Sequence, residues 1–146
     1  MTILSLFRML VALGLIAFAS AVGAAPQIVQ GIWAENKFKT CPNTSACFVS
    51  FTAIPAGKTL VAKHLFCRLS TQQTALVRSL ELFNGLFAAF ISVGDPPNTF
   101  AGLREYTVNT DVLYVFNAGV LPKVFFYSTG IGTQKISCTL SGELKP

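Results

Sequence analysis

The sequence predicts an all-β protein: a single-domain antiparallel β-sandwich, jelly-roll-like and of about eight strands, after an N-terminal signal peptide. Short runs rich in Val, Ile, Leu, Phe, Thr and Tyr alternate with clusters of Pro, Gly, Asn and Asp, which is typical of sandwiches and barrels. No stretch beyond the signal carries a convincing helical stripe of apolar residues. Four cysteines follow the signal, as expected of a disulfide-linked exported domain.

Residues 1–24 have the three parts of a secretory signal peptide. Arg8 gives a short n-region its positive charge, an apolar run follows, and residues 22–24 (Val-Gly-Ala) fit the small-x-small cleavage rule. We expect cleavage after Ala24, with Ala21 as the alternative. An uncleaved anchor is the competing interpretation, but the end of the run is rich in Gly, Ala and Ser, whereas a span needs about 20 strongly apolar residues. We therefore predict a secreted or periplasmic protein with no stable membrane insertion after cleavage.

The remaining chain, residues 25–146, has the size of one ordinary domain and can bury a core of its own. The formal net charge of the whole chain is +5, and its charges are scattered. Lys37 and Lys39 form the one tight basic pair, which is far from the basic runs that bind nucleic acid. We expect no nucleic-acid partner.

The four cysteines predict two disulfides, because their count is even and the signal directs the chain to an oxidising compartment. Cys41 and Cys47 flank the turn-rich sequence PNTSA, so a short bridge between them is geometrically easy. That pairing leaves Cys67–Cys138, which closes a long loop and is worth ~4 kcal/mol in the chain-entropy model. A zinc site would need CxxC-like pairs or further histidines, and the chain has one His. We expect no metal and no cofactor.

The alternation of apolar runs and breaks predicts strands at 27–34, 46–53, 58–69, 74–83, 86–93, 111–117, 122–128 and 134–144. The last strand is the clearest, because Cys138 and the apolar residues of 134–144 occupy alternate positions and so share one buried face. Strand 58–69 carries Cys67 on its more apolar face. Two buried cysteines on two strands suit either a bridge between neighbouring strands or one across the core.

Strand 122–128 is apolar on both faces. Phe125 and Tyr127 alternate with Val124 and Phe126. A strand of this kind is either a central strand or part of an interface. The sequence therefore leaves open an oligomer formed through 122–128.

Two connections carry further predictions. Asn84-Gly85 joins two apolar runs and is the preferred dipeptide of a two-residue type I′ hairpin, so 74–83 and 86–93 should be antiparallel neighbours. A helix across 74–92 is the competing interpretation. Residues 94–110 form the longest connection, which suits a crossover between sheets or a functional loop.

The sequence IPAGKTL, residues 54–60, contains the Gly-Lys-Thr ending of a phosphate-binding P-loop. The motif requires a further glycine at position 52, which is Thr52, and a helix after the lysine, where this chain has an alternating β-branched run. We therefore predict a turn at Pro55-Ala56-Gly57 that leads into a strand.

This turn and strand, the strand cysteine and the terminal CTLSGEL (residues 138–144) behind a signal peptide resemble small secreted β-sandwich proteins of Gram-negative bacteria. The resemblance implies export and a sandwich fold. It implies no activity.

A small hydrolase is one functional hypothesis, and it would depend on His64, the single histidine. A Ser-His-Asp set would add a nucleophile and an orienting carboxylate, from the candidates Ser50, Ser92 and Ser128 and the candidates Asp95 and Asp111. The G-x-S-x-G nucleophile elbow is missing from the sequence. Glu105 and Asp111 are the alternative carboxylate pair for glycoside hydrolysis.

A non-catalytic binding or structural module is the favoured hypothesis, and it would engage a glycan or a protein through loops such as 94–110. Trp33 and Tyr106 lie near polar sequence, where an exposed ring can stack on a sugar or a partner, and Arg104 lies beside Tyr106. The alternative for Trp33 is a core anchor on the first strand. We expect no catalytic residues in this case.

Overall fold

A computed structural model of the protein describes residues 24–94 and 98–146, and this part of the chain is all-β. The predicted signal peptide, residues 1–24, lies outside the described residues except for Ala24. The described strands are β1 (Gln27–Val29), β2 (Ile32–Ser50), β3 (Thr59–Gln72), β4 (Val77–Phe83), β5 (Ala88–Ile91), β6 (Asn98–Phe100), β7 (Leu103–Phe116) and β8 (Lys123–Lys145). Every strand pairing is antiparallel.

Two long strands, β2 and β8, take part in both layers of the sandwich. The first half of β2 and the second half of β8 belong to a larger sheet with the order β1-β2-β8-β3-β7-β6. The second half of β2 (residues 46–50) and the first half of β8 (123–127) continue into a smaller sheet that β4 and β5 complete. Register shifts between Cys41 and Ala46 allow the strands to bend from one layer to the other.

The core lies between these layers, because alternate residues of each strand point inward. Strand β8 shows this over most of its length, with buried residues at every second position from Val124 to Ser128 and from Gly132 to Gly142. The largest fully buried side chains come from both layers and are Trp33, Phe51, Phe116, Phe126, Ile54, Leu60, Leu65, Leu69, Leu80, Leu82, Ile136 and Leu140. The predicted antiparallel β-sandwich is confirmed.

Both predicted disulfides are confirmed. Cys67 and Cys138 are direct cross-strand partners on β3 and β8, and their sulfurs are bonded at 2.08 Å. This bridge therefore joins neighbouring strands of one sheet and does not cross the core. Cys41 and Cys47 are bonded at 2.07 Å across the irregular part of β2. Within the described residues there is no helix long and apolar enough to span a membrane.

Several predicted boundaries are wrong because long bent strands contain the residues that we assigned to turns. The predicted strands 27–34 and 46–53 become the short β1 and a β2 that continues through PNTSA. Likewise, 122–128 and 134–144 are parts of one strand, β8. The predicted loop 94–110 contains the hairpin of β6 and β7, with positive φ at Ala101 and Gly102.

The hairpin at Asn84-Gly85 is confirmed, and the competing helix is wrong, because β4 and β5 pair antiparallel. Its turn is not type I′, since Gly85 has a positive φ (95°) and Asn84 does not. The Asn84 N–H donates to the carbonyl of Phe87 (3.2 Å), and its Oδ1 accepts from the N–H groups of Leu86 and Phe87. The asparagine therefore caps the turn from its first position.

The predicted turn after residue 54 is also confirmed. The Lys58 N–H donates to the carbonyl of Pro55 (3.1 Å), and Gly57 has a φ of 71°. Strand β3 then begins at Thr59, where a P-loop would begin a helix.

Candidate binding face

Trp33 and Tyr106, which the sequence suggested for a stacking surface, both lie in the core. Trp33 is 0% exposed and packs edge-to-face against Phe51, with ring centroids 6.1 Å apart. Tyr106 is 3% exposed, and its hydroxyl accepts a hydrogen bond from the N–H of Val77. Both occupy inward-facing strand positions, so these two rings do not form an exposed stacking surface. Trp33 is a core residue, as the alternative interpretation of the sequence expected. Arg104 is half-buried on β7.

His64 lies on the outer face of the larger sheet, where its Nδ1 is 3.0 Å from Oδ1 of Asp111. Its cross-strand neighbour on β8 is Ser141, so the register aligns a Ser, a His and an Asp on three adjacent strands. We did not foresee Ser141, because strand order and register are not visible in the sequence. Strands β8 and β3 lie inside the sheet, so their regularly paired backbone N–H groups serve the sheet ladders, and next to His64 only Lys63 falls at a register shift in both ladders.

Of the other predicted catalytic residues, Ser92 lines a groove together with Asp111, and the rest lie elsewhere or outside the described residues. Ser128 is buried, and its hydroxyl donates to the carbonyl of Gly130 and accepts from the Gln134 amide. Ser50 belongs to the smaller sheet, and Asp95 lies outside the described residues. Asp111 lies six positions after Glu105 on the same extended strand, which places them about 20 Å apart, well beyond the spacing of glycosidase carboxylates.

Metal ligands do not cluster either. No group of three or more His, Cys, Asp or Glu side chains in the described ranges is placed to hold a metal ion.

The outer face of the smaller sheet carries a set of aromatic side chains, which we call the aromatic face: Phe48, Phe83, Phe90, Phe125 and Tyr127. These residues come from β2, β4, β5 and β8, and they point outward because the residues between them, such as Val49, Leu82 and Phe126, are buried.

Phe125 is the centre of the aromatic face. Its ring is 5.0 Å from that of Phe48, 6.5 Å from that of Tyr127 and 6.0 Å from that of Phe83, measured between centroids. Phe90 extends the row on β5, where it pairs with Glu81, the cross-strand partner of Phe125. Four of the rings thus form one connected cluster around Phe125, and Phe90 lies on the same face beyond Glu81.

Charged groups border the aromatic face. The Lys39 ammonium lies 3.9 Å from the centroid of the Phe48 ring, which is a cation–π contact. Lys123 is the cross-strand partner of Phe83, and Glu81 stands between Phe125 and Phe90. An aromatic centre with a charged border is the usual composition of a protein interaction surface.

The sequence revealed only part of this surface. The two-faced run at 122–128 identified Phe125 and Tyr127, but the other rings lie far away in the chain. They meet because β8 lies between β2 and β4, and strand order is not visible in the sequence.

The outer face of the larger sheet is more polar. It has a shallow depression of about 280 Å³ whose lining includes Phe38, Arg68, Glu105 and Lys135. Arg68 and Glu105 are 3.7 Å apart, and Phe38 is the one aromatic ring in the lining. This depression combines one aromatic ring with charged side chains, whereas the aromatic face has a cluster of rings in contact.

Comparison with known proteins assigns no family. No protein-family model matches the chain, and no curated protein matches it. Among solved structures, it is similar to the crystal structure of dimeric latent PorU from Porphyromonas gingivalis, with 10% sequence identity and a TM-score of 0.42. The match covers 83% of this chain and 14% of that chain. At this level of similarity neither fold nor function is transferred.

Proposed function

We propose that the protein is an exported, non-catalytic binding module that holds a partner protein on its aromatic face. The observation that carries the proposal is the connected set of rings on an exposed sheet face. Water-exposed apolar surface of this kind favours association, because covering it removes it from water. Aromatic side chains also supply much of the binding energy at protein interfaces.

A protein partner is favoured over a glycan because four of the five rings are phenylalanines, which have no hydrogen-bonding group. A sugar presents many hydroxyl groups, and a site that covers them must pair them. The polar partners on this face are few, chiefly Glu81, Lys123 and the Tyr127 hydroxyl. A partner with an apolar surface fits this composition better.

Export is part of the proposal. Two disulfides in one small domain are typical of secreted and periplasmic proteins, because the cytoplasm keeps thiols reduced. The signal-like sequence of residues 1–24 supports the same compartment.

The predicted interface at 122–128 takes a more specific form in this proposal. Both edges of this part of β8 are occupied, by β2 and β4. Contact with a partner must therefore use the outward face, through Phe125 and Tyr127.

The test compares the purified exported protein with a variant in which Phe48→Ser and Tyr127→Ser are combined. Both side chains are exposed, so the fold should persist while the aromatic face becomes polar. Partners captured from the periplasmic and secreted fractions of the source cells are identified, and each dissociation constant is then measured with the purified partner. We expect the variant to bind the partner at least about tenfold more weakly.

Ile28→Ser is the control, because Ile28 is an exposed apolar residue on β1, at the edge of the larger sheet and away from the aromatic face. It should leave partner binding unchanged. Equal binding by the wild type and the double variant would overturn the proposal. If the protein binds a glycan array and this binding requires Phe48 and Tyr127, the ligand of the aromatic face is a glycan and not a protein.

The second candidate function is a small secreted hydrolase, which the His64–Asp111 contact and the adjacent Ser141 favour. A screen of ester and peptide substrates with the wild type and with His64→Ala distinguishes the two functions. Activity that disappears in His64→Ala supports the hydrolase. Partner binding that is the same in both proteins supports the binding module.

A further inference from the structure

Strand β5 is a free edge of the smaller sheet. Its described pairing is with β4 alone. The Asn84 N–H donates to the Phe87 carbonyl, so the backbone groups of Phe87 point toward β4. Successive residues of an antiparallel strand alternate in this direction. The backbone groups of Ala89 therefore point toward β4, and those of Ala88 and Phe90 point away from it. Ala88 and Phe90 therefore present N–H and C=O groups along the open edge.

This edge lacks the features that normally keep sheet edges apart. Soluble proteins protect their edges with charged side chains, prolines or bulges. Residues 86–94 contain no charged residue and no proline, and the pairing of β5 with β4 has no bulge. Leu86, Phe87 and Phe90 are 82%, 70% and 77% exposed. Both the backbone and the side chains of this segment are thus suited to pairing with another strand.

There is open space beside the edge. A groove of about 280 Å³ lies between β5 and residues 110–114 of β7, and Phe90, Ile91 and Leu113 are among the residues that line it. Near the β4–β5 turn, the Tyr114 hydroxyl donates to the Phe87 carbonyl. Burial raises the pKa of Tyr114, so this hydroxyl remains a donor at neutral pH. The contact holds the hairpin in place while the edge beyond it stays open.

We propose that β5 pairs antiparallel with β5 of a second copy of the chain, so that two smaller sheets become one continuous sheet across a two-fold axis. An antiparallel pair of identical strands is self-complementary under such an axis. When Ala89 faces its own copy, Ala88 of one chain lies opposite Phe90 of the other, and the outward backbone groups of both residues are paired.

The charge pattern also favours a second copy. The whole chain is positively charged, yet residues 86–94 are neutral, so two identical edges bring no charges of their own together, and the charged residue in the adjoining groove is Asp111 of β7, which is paired with His64. The aromatic faces of the two copies would then adjoin, because Phe90 belongs both to that face and to β5. This assembly goes beyond the proposed partner binding and does not depend on it.

The test measures the mass of the exported protein in solution by sedimentation equilibrium over a wide range of concentration. We expect a monomer–dimer equilibrium in the wild type. Phe90→Pro removes an N–H that the β4–β5 register directs away from β4, so the pairing of β5 with β4 should persist, while the dimer should dissociate at least about tenfold more readily. Phe90→Ala is the matched control, because it removes the ring and keeps the N–H, and it should weaken the dimer less than Phe90→Pro does.

Ala88→Pro repeats the backbone test with no loss of a large side chain. A further measurement needs no variant: amide hydrogen exchange at Ala88 and Phe90 should slow as the protein concentration rises. A wild type that is monomeric at every concentration would overturn the proposal. A dimer that persists in both Phe90→Pro and Ala88→Pro would also overturn it. If the Phe48→Ser and Tyr127→Ser changes disrupt the dimer instead, the contact lies on the aromatic face and the proposal is wrong.

Discussion

Glu35 is a buried acidic residue on the inward-facing side of β2, and its hydrogen bonds explain its position. Its carboxylate accepts from the N–H of Thr52 (2.8 Å) and from the Thr52 hydroxyl (2.7 Å), and it lies 2.6 Å from the Lys37 ammonium. Thr52 follows the end of β2, so Glu35 joins the first half of that strand to the segment after it. Buried charge is tolerated where it is paired and hydrogen-bonded in this way.

We predict that Glu35→Ala lowers the free energy of unfolding by about 3 kcal/mol, because it leaves the Thr52 N–H and the Lys37 ammonium without their acceptor. Urea denaturation of the purified protein measures this change. Glu143→Ala is the control, since Glu143 makes exposed ion pairs with Lys63 and Lys145, which are worth about 0–1 kcal/mol. Equal effects of the two substitutions would contradict the role given to Glu35.

At the scale of single elements, Gly142 allows β8 to approach β3 where the latter is irregular. A Cβ at position 142 would lie 2.2 Å from the Val61 carbonyl oxygen and 2.7 Å from the Ala62 Cα. These are backbone atoms next to the register shift between Ala62 and His64, so they cannot move aside as a flexible side chain can.

We therefore predict that Gly142→Ala destabilises the protein by about 1–3 kcal/mol through overpacking. Gly94→Ala is the matched control, because a Cβ there meets nothing within 4 Å. Thermal unfolding followed by circular dichroism compares the two variants. If Gly142→Ala has the wild-type melting temperature, β3 and β8 can move apart to admit the methyl group without loss of stability, and the prediction is wrong.

The elements also show how far local sequence signals reach. Alternation of apolar residues located most strands correctly, because side chains on a strand point to opposite faces whatever its neighbours are. Turn-forming residues predicted the position and type of the turns less reliably. Gln30-Gly31 and Ala101-Gly102 have positive φ at both residues and form tight hairpins, whereas Asn84-Gly85 does not have this pattern. Pro and Asn in PNTSA lie within a bent strand, because a bulge accommodates such residues as well as a loop does.

On the scale of the whole molecule, the disulfides differ in the loops that they close. Cys67 and Cys138 are 71 residues apart, and Cys41 and Cys47 are 6 apart. We predict that replacing Cys67 and Cys138 together by Ala costs about 4 kcal/mol and that replacing Cys41 and Cys47 costs about 2 kcal/mol, because longer loops lose more entropy in the unfolded chain. Guanidinium denaturation of the two double variants measures both. A larger loss from the shorter loop would contradict the entropic explanation.

The disulfide pattern and the all-β class were predictable from the sequence, because both follow from residue types and their spacing. The aromatic face was not, because it depends on which strands are neighbours. Phe48 and Phe125 are far apart in the chain and meet through the pairing of β2 with β8. Trp33 shows the reverse case, since nearby polar residues suggested exposure while its strand position buries it.

The position of β8 in both layers has a consequence for biogenesis. It follows the seven other described strands in the chain, and β2, β3 and β4 all use it as a neighbour. Until the ribosome releases residues 123–145, neither layer has the strand that joins its other members. Neither layer can therefore close before β8 has been synthesised, so we expect the two layers to fold together and not one after the other.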